Sequence, residues 1–98
     1  MTVHEFADIL RDPEVRVVNR SLYTWDNPHG YRAEIEYRKR WYWYSVSPAL
    51  KPVSPEEVAV AITSPARRVQ RCGPYKDGRG FEAVVWSGDH CYKFGHGR

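Results

Sequence analysis

The sequence predicts an α+β fold in which an antiparallel sheet of about five strands packs against two short helices on one of its faces. Two capping-box motifs, Thr2–Glu5 and Ser54–Glu57, indicate where helices begin. Stretches rich in β-branched and aromatic residues fill most of the remaining chain and are separated by turn-forming residues. The predicted order is α-β-β-α-β-β-β, and the lack of strict alternation between helix and strand favours an antiparallel sheet.

The first predicted elements are a helix and a strand. Three apolar residues follow the first capping box at helical spacing: Phe6, Ile9 and Leu10. Pro13 ends this helix. Residues 15–25 are rich in β-branched and aromatic side chains and predict a strand, and residues 26–30 have the composition of a hairpin loop.

Residues 31–46 alternate in polarity and predict one long strand. We expect its buried face to comprise Tyr31, Ala33, Ile35, Tyr37, Trp41 and Trp43. The other face then carries Arg32, Glu34, Glu36, Arg38, Arg40, Tyr42 and Tyr44. An unbroken strand of this length would span about 50 Å, more than a domain of this size allows. Because residues 38–40 include no Gly, Asn, Asp or Pro, we predict a bend or bulge there and not a tight hairpin.

The second half of the chain predicts one helix and three strands. Ser54 caps a helix that has Pro55 in its first turn, and Pro65 ends it. Residues 67–72 form a short strand, and residues 73–80 a loop rich in Gly and Pro. Two further strands, residues 81–86 and 91–94, form a hairpin across residues 87–90.

The chain has 98 residues, which is enough for one hydrophobic core but not for two. We therefore expect a single domain over residues 1–98, with residues 95–98 frayed. The sequence shows no internal repeat. The longest stretches without charge, residues 41–50 and 58–66, fall short of the roughly 18 apolar residues of a membrane span.

The start of the chain and its cysteines predict a cytoplasmic protein. His4, Glu5 and Asp8 lie where a secretory signal would have a basic end and an apolar run. Cys72 and Cys91 are too few for a disulfide framework, so we expect thiols, with one structural disulfide as the alternative.

Aromatic residues interleaved with arginine indicate a binding surface. The chain has seven Tyr and four Trp and a net charge of +3, with the positive charge concentrated in residues 31–50 and 65–98. Such surfaces offer rings on which bases stack and guanidinium groups that bind phosphates. The candidate binding residues on the exposed strand face are Arg32, Arg38, Arg40, Tyr42 and Tyr44. Core packing is the alternative role of these rings.

A second basic cluster follows the second helix. Its candidate binding residues are Arg67, Arg68, Arg71, Tyr75, Lys76 and Arg79. The glycine-rich loop in this segment matches neither a phosphate-binding P-loop nor a dinucleotide fingerprint. It is either a solvated hairpin loop or a contact loop for a phosphate-bearing or acidic partner.

The sequence predicts no metal, no cofactor and no catalytic residue. Cys72, His90, Cys91 and His96 lack the paired spacing of a zinc site. A metal-independent ribonuclease could use His29, His90, Glu34 and Glu36 with the central arginines. However, Glu34 and Glu36 beside arginines on a strand are more typical of ion pairs.

We therefore expect a non-enzymatic binding module whose basic, aromatic sheet face engages nucleic acid or a nucleoprotein. The first alternative is a small inhibitor or accessory factor, of the phage or mobile-element type, that docks on an acidic patch of a host enzyme. The second is the ribonuclease toxin. Composition cannot separate the first two, because Tyr, Trp and Arg dominate protein interfaces as well.

Overall fold

A computed structural model describes residues 1–23, 30–75, 78 and 80–96 of the chain. In these residues two helices and six strands follow the order α-β-β-β-α-β-β-β. Their bounds are α1 Val3–Arg11, β1 Arg16–Tyr23, β2 Gly30–Tyr37, β3 Arg40–Ser47, α2 Pro55–Ile62, β4 Arg68–Gly73, β5 Phe81–Ser87 and β6 His90–His96. The predicted α+β class is confirmed, with one strand more than expected.

Both helices begin at the predicted capping boxes. The Thr2 hydroxyl accepts a hydrogen bond from the Glu5 amide at 3.1 Å, and the Thr2 amide donates to the Glu5 carboxylate at 2.8 Å. Ser54 and Glu57 form the same reciprocal pair at the start of α2, with Pro55 in the first turn. These bonds satisfy backbone donors that have no partner within the helix, which is why the two starts could be found in the sequence.

The sheet is antiparallel throughout and has the strand order β1-β2-β3-β6-β5-β4. The additional strand arises because residues 31–46 form two strands, β2 and β3, joined by Arg38 and Lys39. Both turn residues have positive φ, 49° and 66°, as in a two-residue hairpin turn. The predicted bend or bulge is therefore wrong.

Contacts around the turn explain why it forms without Gly or Asn. A left-handed residue other than glycine costs roughly 1–2 kcal/mol. The Arg38 guanidinium donates to the Glu14 carboxylate at 3.1 Å and lies over the Tyr37 ring at 5.0 Å. The Tyr37 hydroxyl in turn donates to Asp12, beyond the end of α1, at 2.8 Å. The turn is thus attached to the segment that follows the first helix, and these contacts offset its strain.

The hairpin reverses the predicted faces of β3. Tyr37 is paired with Arg40, so that Ile35 lies opposite Tyr42 and Ala33 opposite Tyr44. Tyr42 and Tyr44 are therefore buried with the residues of β2, contrary to the prediction that they are exposed. Trp41 and Trp43 were expected in the core and are also corrected. Trp41 is 55% exposed and Trp43 is half-buried, both on the opposite face of the sheet.

The core lies between the two helices and one face of the sheet. The Phe6 ring of α1 stacks on Phe94 at 4.5 Å between centroids and meets Tyr42 edge-on at 6.0 Å. The buried Tyr44 hydroxyl donates to the carbonyl oxygen of Val53, before α2, at 2.5 Å. Other members of the core include Leu10, Tyr31, Ala33, Ile35, Val46, Val58, Ile62, Phe81, Ala83 and Val85.

The two halves of the chain repeat one unit, α-β-β-β, which corrects the expectation that there is no internal repeat. Each half has a capping box, a helix, a first strand with an irregular register, and a hairpin with a two-residue turn. At the centre of the sheet β3 and β6 pair antiparallel, with Tyr44 opposite Phe94, the same position in each half. The halves are thus related by an approximate two-fold axis through this pair.

The repeat is difficult to recognise in the sequence because only its buried positions are similar. Ala33 corresponds to Ala83, and Ile35 corresponds to Val85. The intervening positions on the other side of the sheet differ, as with Glu36 in β2 and Trp86 in β5. Core packing constrains volume and polarity in both halves, whereas the outer face has no such constraint.

The remaining predictions concern the chain end, the cysteines and membrane spans. Gly95 and His96 belong to β6, so the predicted fraying is wrong for them, while residues 97 and 98 lie outside the described residues. Cys72 and Cys91 are free thiols. Within the described part of the chain, no helix has the length and apolar character needed to cross a membrane.

Candidate functional site: the open face of the sheet

The face of the sheet opposite the helices, here called the open face, is the candidate site. Side chains alternate along a strand, so the residues between the core positions point to this face. It includes Arg32, Glu34 and Glu36 of β2, Trp41, Trp43, Ser45 and Ser47 of β3, Cys91, Lys93 and Gly95 of β6, Glu82, Val84 and Trp86 of β5, and Arg68 and Arg71 of β4.

A row of three cations crosses the open face. The register places Arg32 opposite Ser45, Ser45 opposite Lys93, Lys93 opposite Val84, and Val84 opposite Arg71. Neighbouring strands lie about 4.8 Å apart, so the backbone positions of Arg32, Lys93 and Arg71 are separated by about 10 Å each. These three residues are called the cation row below.

The charge of the cation row is partly compensated at one end. Arg71 forms an ion pair with Glu82, and its neighbour across the strands is Val84. Lys93 is exposed, and the described residues place no carboxylate within ion-pair distance of it or of Arg32. Positive charge without a paired acid is therefore centred on β2 and β6.

Two further acids on the open face are engaged away from the row. Glu36 pairs with Arg16 of β1, and Glu34 accepts a hydrogen bond from the Asn19 amide at 3.1 Å. These contacts hold both carboxylates toward the β1 edge of the sheet. Their field at Lys93, two and more strands away, is screened by solvent.

Three tryptophans flank the cation row. Trp41 and Trp43 follow one another on β3, and Trp86 lies on β5 opposite Cys91. The Arg32 guanidinium lies over the Trp43 ring, 4.7 Å from its centroid, and this cation–π contact orients both groups. The Trp86 indole donates to the Gln70 side chain at 2.7 Å. Trp41, at 55% exposure, has the most accessible ring.

The loop after β4 reaches back onto the open face through Tyr75. The Trp43 indole donates to the Tyr75 hydroxyl at 2.9 Å. This approach needs a glycine at position 95, because a Cβ there would lie 2.2 Å from the Phe81 carbonyl oxygen and 3.1 Å from the Tyr75 hydroxyl. Tyr75 is thereby held beside the cation row.

The cation row, Trp43 and Trp86 line a depression of about 650 Å³ whose surface includes both polar and apolar atoms. Cys91 lies within it, and burial raises the pKa of its thiol despite the nearby Lys93. A raised pKa disfavours the thiolate, which is the nucleophilic form. The depression therefore offers contact surface and positive charge without an activated cysteine.

The structure brings only some of the sequence-predicted site residues together. Arg32 and Arg71 line the depression, Tyr75 contacts it through Trp43, and Arg68 lies beside it, opposite Trp86. Lys76 and Arg79 lie outside the described residues.

Other candidates lie elsewhere for identifiable reasons. Arg38 is in the turn bound to Glu14, and Arg40 shares the helix-side face with Tyr37. Arg67 donates to the Ser64 carbonyl oxygen at 3.1 Å, near the end of α2. Tyr42 and Tyr44 are buried in the core.

Sequence reasoning missed Trp41, Trp43, Trp86 and Lys93 as surface groups. A prediction of a tight turn at residues 38–39 would have placed the two tryptophans of β3 on the exposed face, because such a turn exchanges the two faces for all later residues of the strand. Trp86 and Lys93 required the pairing of β5 with β6 and of β6 with β3, which no local pattern specifies.

The residues considered for acid–base catalysis lie apart or are engaged with other side chains in the described part of the chain. His90 begins β6 in a hairpin and His29 lies outside the described residues, while Glu34 and Glu36 are engaged with Asn19 and Arg16. Among the described residues, no three His, Cys, Asp or Glu side chains are grouped as a metal site requires.

The fold and the open face define a class: an α+β protein with a sheet covered by helices on one side only. Comparison of the chain with protein-family models, curated proteins and solved structures finds no match. The function must therefore be argued from the site itself.

Proposed function

We propose that this protein is a non-enzymatic binding protein whose open face binds single-stranded nucleic acid. The observation that supports the proposal is the cation row, with tryptophans on both sides of it, on the face that neither of the two described helices covers. Backbone phosphates would follow the row from Arg32 toward Arg71. Bases would stack on the accessible rings, as they do on other sheet-face modules.

The spacing of these groups suits an extended strand. The row crosses four strand intervals, which is about 19 Å. Trp43 lies opposite Gly95, so it is diagonal to Lys93, and such positions are about 7–8 Å apart. An aromatic group, covered by the Arg32 guanidinium, and a phosphate-binding group thus lie next to each other at the centre of the sheet.

Single strands are favoured over duplexes because stacking on a protein ring requires a base that is free of its own neighbours. Trp41 and Trp86 present rings that a splayed base can reach, and neither lies on a protruding helix that could enter a groove.

A protein partner with an acidic patch is the second candidate, because tryptophan and arginine are also the residues that dominate protein interfaces. Salt dependence separates the two. For single strands the logarithm of the association constant falls with the logarithm of salt by roughly 0.7 per phosphate neutralised, giving a slope of about −2 for three contacts.

Fluorescence anisotropy with labelled random 20-mers of RNA and DNA tests the proposal. We expect saturable binding at low salt, and a plot of the logarithm of the association constant against the logarithm of salt with a slope of about −2. Absence of binding to either oligonucleotide at low salt would refute nucleic-acid recognition, and a stable complex with one cellular protein would then support the inhibitor alternative. The same RNA should stay intact with and without EDTA. Cleavage that persists through repurification would contradict a non-enzymatic role.

Matched variants locate the surface. Lys93→Ala on the open face should weaken oligonucleotide binding about fivefold to tenfold and flatten the salt slope, since it removes one phosphate contact. Lys51→Ala removes the same charge from the helix side of the sheet. It should change neither the affinity for the oligonucleotide nor the salt slope. Trp86→Ala should weaken binding about tenfold or more, because a base–aromatic stack contributes roughly 1–3 kcal/mol. Equal effects of Lys93→Ala and Lys51→Ala would mean that net charge, and not the open face, attracts the oligonucleotide.

A further inference from the structure

A second concave site lies on the other side of the sheet, between β3, the segment before α2 and the start of β6. It has a volume of about 700 Å³ and a largely apolar surface. Its apolar lining comes from Val46, Ala49, Leu50, Val53 and Tyr92. The volume falls in the range of roughly 300–1,000 Å³ that small-molecule sites occupy. None of these residues belongs to the open face.

The internal repeat allows one residue of this lining, Tyr92, to be compared with its counterpart. In the first half, Tyr42 lies beneath the Phe6 ring at 6.0 Å and beside the His96 ring at 5.2 Å, and it is 4% exposed. In the second half the corresponding residue is Tyr92. Its neighbours at the corresponding positions are Val58 and Val46, which have no rings.

The surroundings of Tyr92 are therefore a local departure from the repeat. Smaller side chains leave Tyr92 half-buried where its counterpart Tyr42 is covered. The rest of the apolar lining comes from Val46 and from residues that precede α2, such as Leu50 and Val53. A largely apolar concavity of this size is a candidate binding site.

The polar groups of the cavity indicate the charge of its ligand. The Glu57 carboxylate already accepts hydrogen bonds from the Ser54 amide at 3.4 Å and the Ser54 hydroxyl at 3.2 Å. Burial and the nearby Glu57 raise the pKa of Tyr92, so its hydroxyl is a neutral donor. Lys51 and His90 also line the cavity, and none of the described carboxylates lies within ion-pair distance of either.

We propose that this cavity binds a small monocarboxylate with an apolar body, with the hydrocarbon against Leu50, Val53 and Tyr92 and the carboxylate on Lys51. The charge complementarity rests on Lys51 as the cation without a paired acid, while the carboxylate of Glu57 is committed to the helix cap. The ligand would bind independently of nucleic acid, because the site lies on the helix side of the sheet.

Titration calorimetry with decanoate, below its micelle-forming concentration, tests the proposal on the intact chain. We expect saturable binding of one decanoate per chain. Octanoate should bind about tenfold more weakly, the effect of losing two buried methylenes. Decyltrimethylammonium, with the same chain and the opposite charge, should bind at least tenfold more weakly than decanoate. Equal binding of the cationic and anionic amphiphiles, or no saturable binding, would overturn the proposal.

Variants test which residues contact the carboxylate of decanoate and which contact its hydrocarbon chain. Lys51→Glu should weaken decanoate binding at least tenfold, whereas Lys39→Glu, the same charge change in the β2–β3 turn, should leave it unchanged. Val46→Phe places a ring on a residue that lines the cavity, where the other half of the fold has the His96 ring, and should abolish binding. If circular dichroism shows that this buried substitution prevents folding, Leu50→Asp is the alternative, because Leu50 is 78% exposed and its replacement should not disturb the core. The added carboxylate makes the lining polar and should weaken decanoate binding. Decanoate affinity unchanged in both Lys51→Glu and Leu50→Asp would refute the site.

Discussion

Replacing Tyr44 and Trp41 separately by alanine tests the reversal of faces along β3. Tyr44 is fully buried, and its hydroxyl is bonded to the Val53 carbonyl oxygen. Trp41 is three residues earlier on the same strand and is 55% exposed. A continuous strand through residues 38–40 would give the opposite result, because it would bury Trp41 and expose Tyr44.

The expected magnitudes differ several-fold. Truncating a large buried aromatic residue costs about 3–5 kcal/mol, through lost burial and the cavity that remains. Tyr44→Ala also leaves the Val53 carbonyl oxygen without its donor, which places it at the upper end of this range. Surface substitutions usually change stability by less than about 0.5 kcal/mol. Trp41→Ala should therefore lower the free energy of unfolding by little more than about 0.5 kcal/mol, and the excess comes from the part of the ring that neighbouring residues cover.

Urea unfolding followed by far-ultraviolet circular dichroism measures both variants without relying on tryptophan fluorescence. A domain of this size has a free energy of unfolding of about 5–15 kcal/mol. Tyr44→Ala should therefore lose a large part of it, with an unfolding midpoint far below that of the wild type. Tyr44→Phe separates the hydrogen bond from the ring. If Trp41→Ala lost more stability than Tyr44→Ala, the hairpin at residues 38–39 and the open face built on it would be refuted.

Two further predictions concern the hairpin turn and its anchor. Lys39→Gly should stabilise the protein by about 0.5–1 kcal/mol in urea unfolding. Glycine removes the left-handed strain at φ 66°, and this gain exceeds the additional entropy that glycine loses on folding. Lys39→Ala keeps the strain and should give no such gain. The pKa of Asp12 is lowered by hydrogen bonds from the Glu14 amide and the Tyr37 hydroxyl, so its carboxylate stabilises the fold above its ordinary pKa of 3.8 and loses that effect as the pH falls below it. Asp12→Asn should therefore lower the melting temperature at pH 7, and the difference should vanish near pH 2; a difference that persisted there would contradict this anchoring role.

The sequence by itself determined the elements whose signals are local. Capping at Thr2 and Ser54 depends on hydrogen bonds three residues apart, and the strands of the second half depend on alternation over fewer than ten residues. These interactions are decided within one turn or one strand, so they can be recognised without knowledge of the fold. The α+β class follows from their order.

Only the tertiary structure decided which side chains reach the open face. The turn at Arg38 and Lys39 has unfavourable local conformations, and contacts with Tyr37 and Glu14 offset them. A turn of two residues instead of a bulge shifts the alternation by one and moves every later side chain of β3 to the other face.

The cation row and the repeat have the same origin in long-range pairing. Arg32, Lys93 and Arg71 are far apart in the chain and lie in one row because β3 pairs with β6 at the centre of the sheet. The two-fold relation between the halves likewise becomes visible only when Tyr44 is found opposite Phe94. The sequence determined what each segment forms. The register between distant strands determined what the surface presents, because that register minimises the exposed apolar area of the whole chain and not of any single segment.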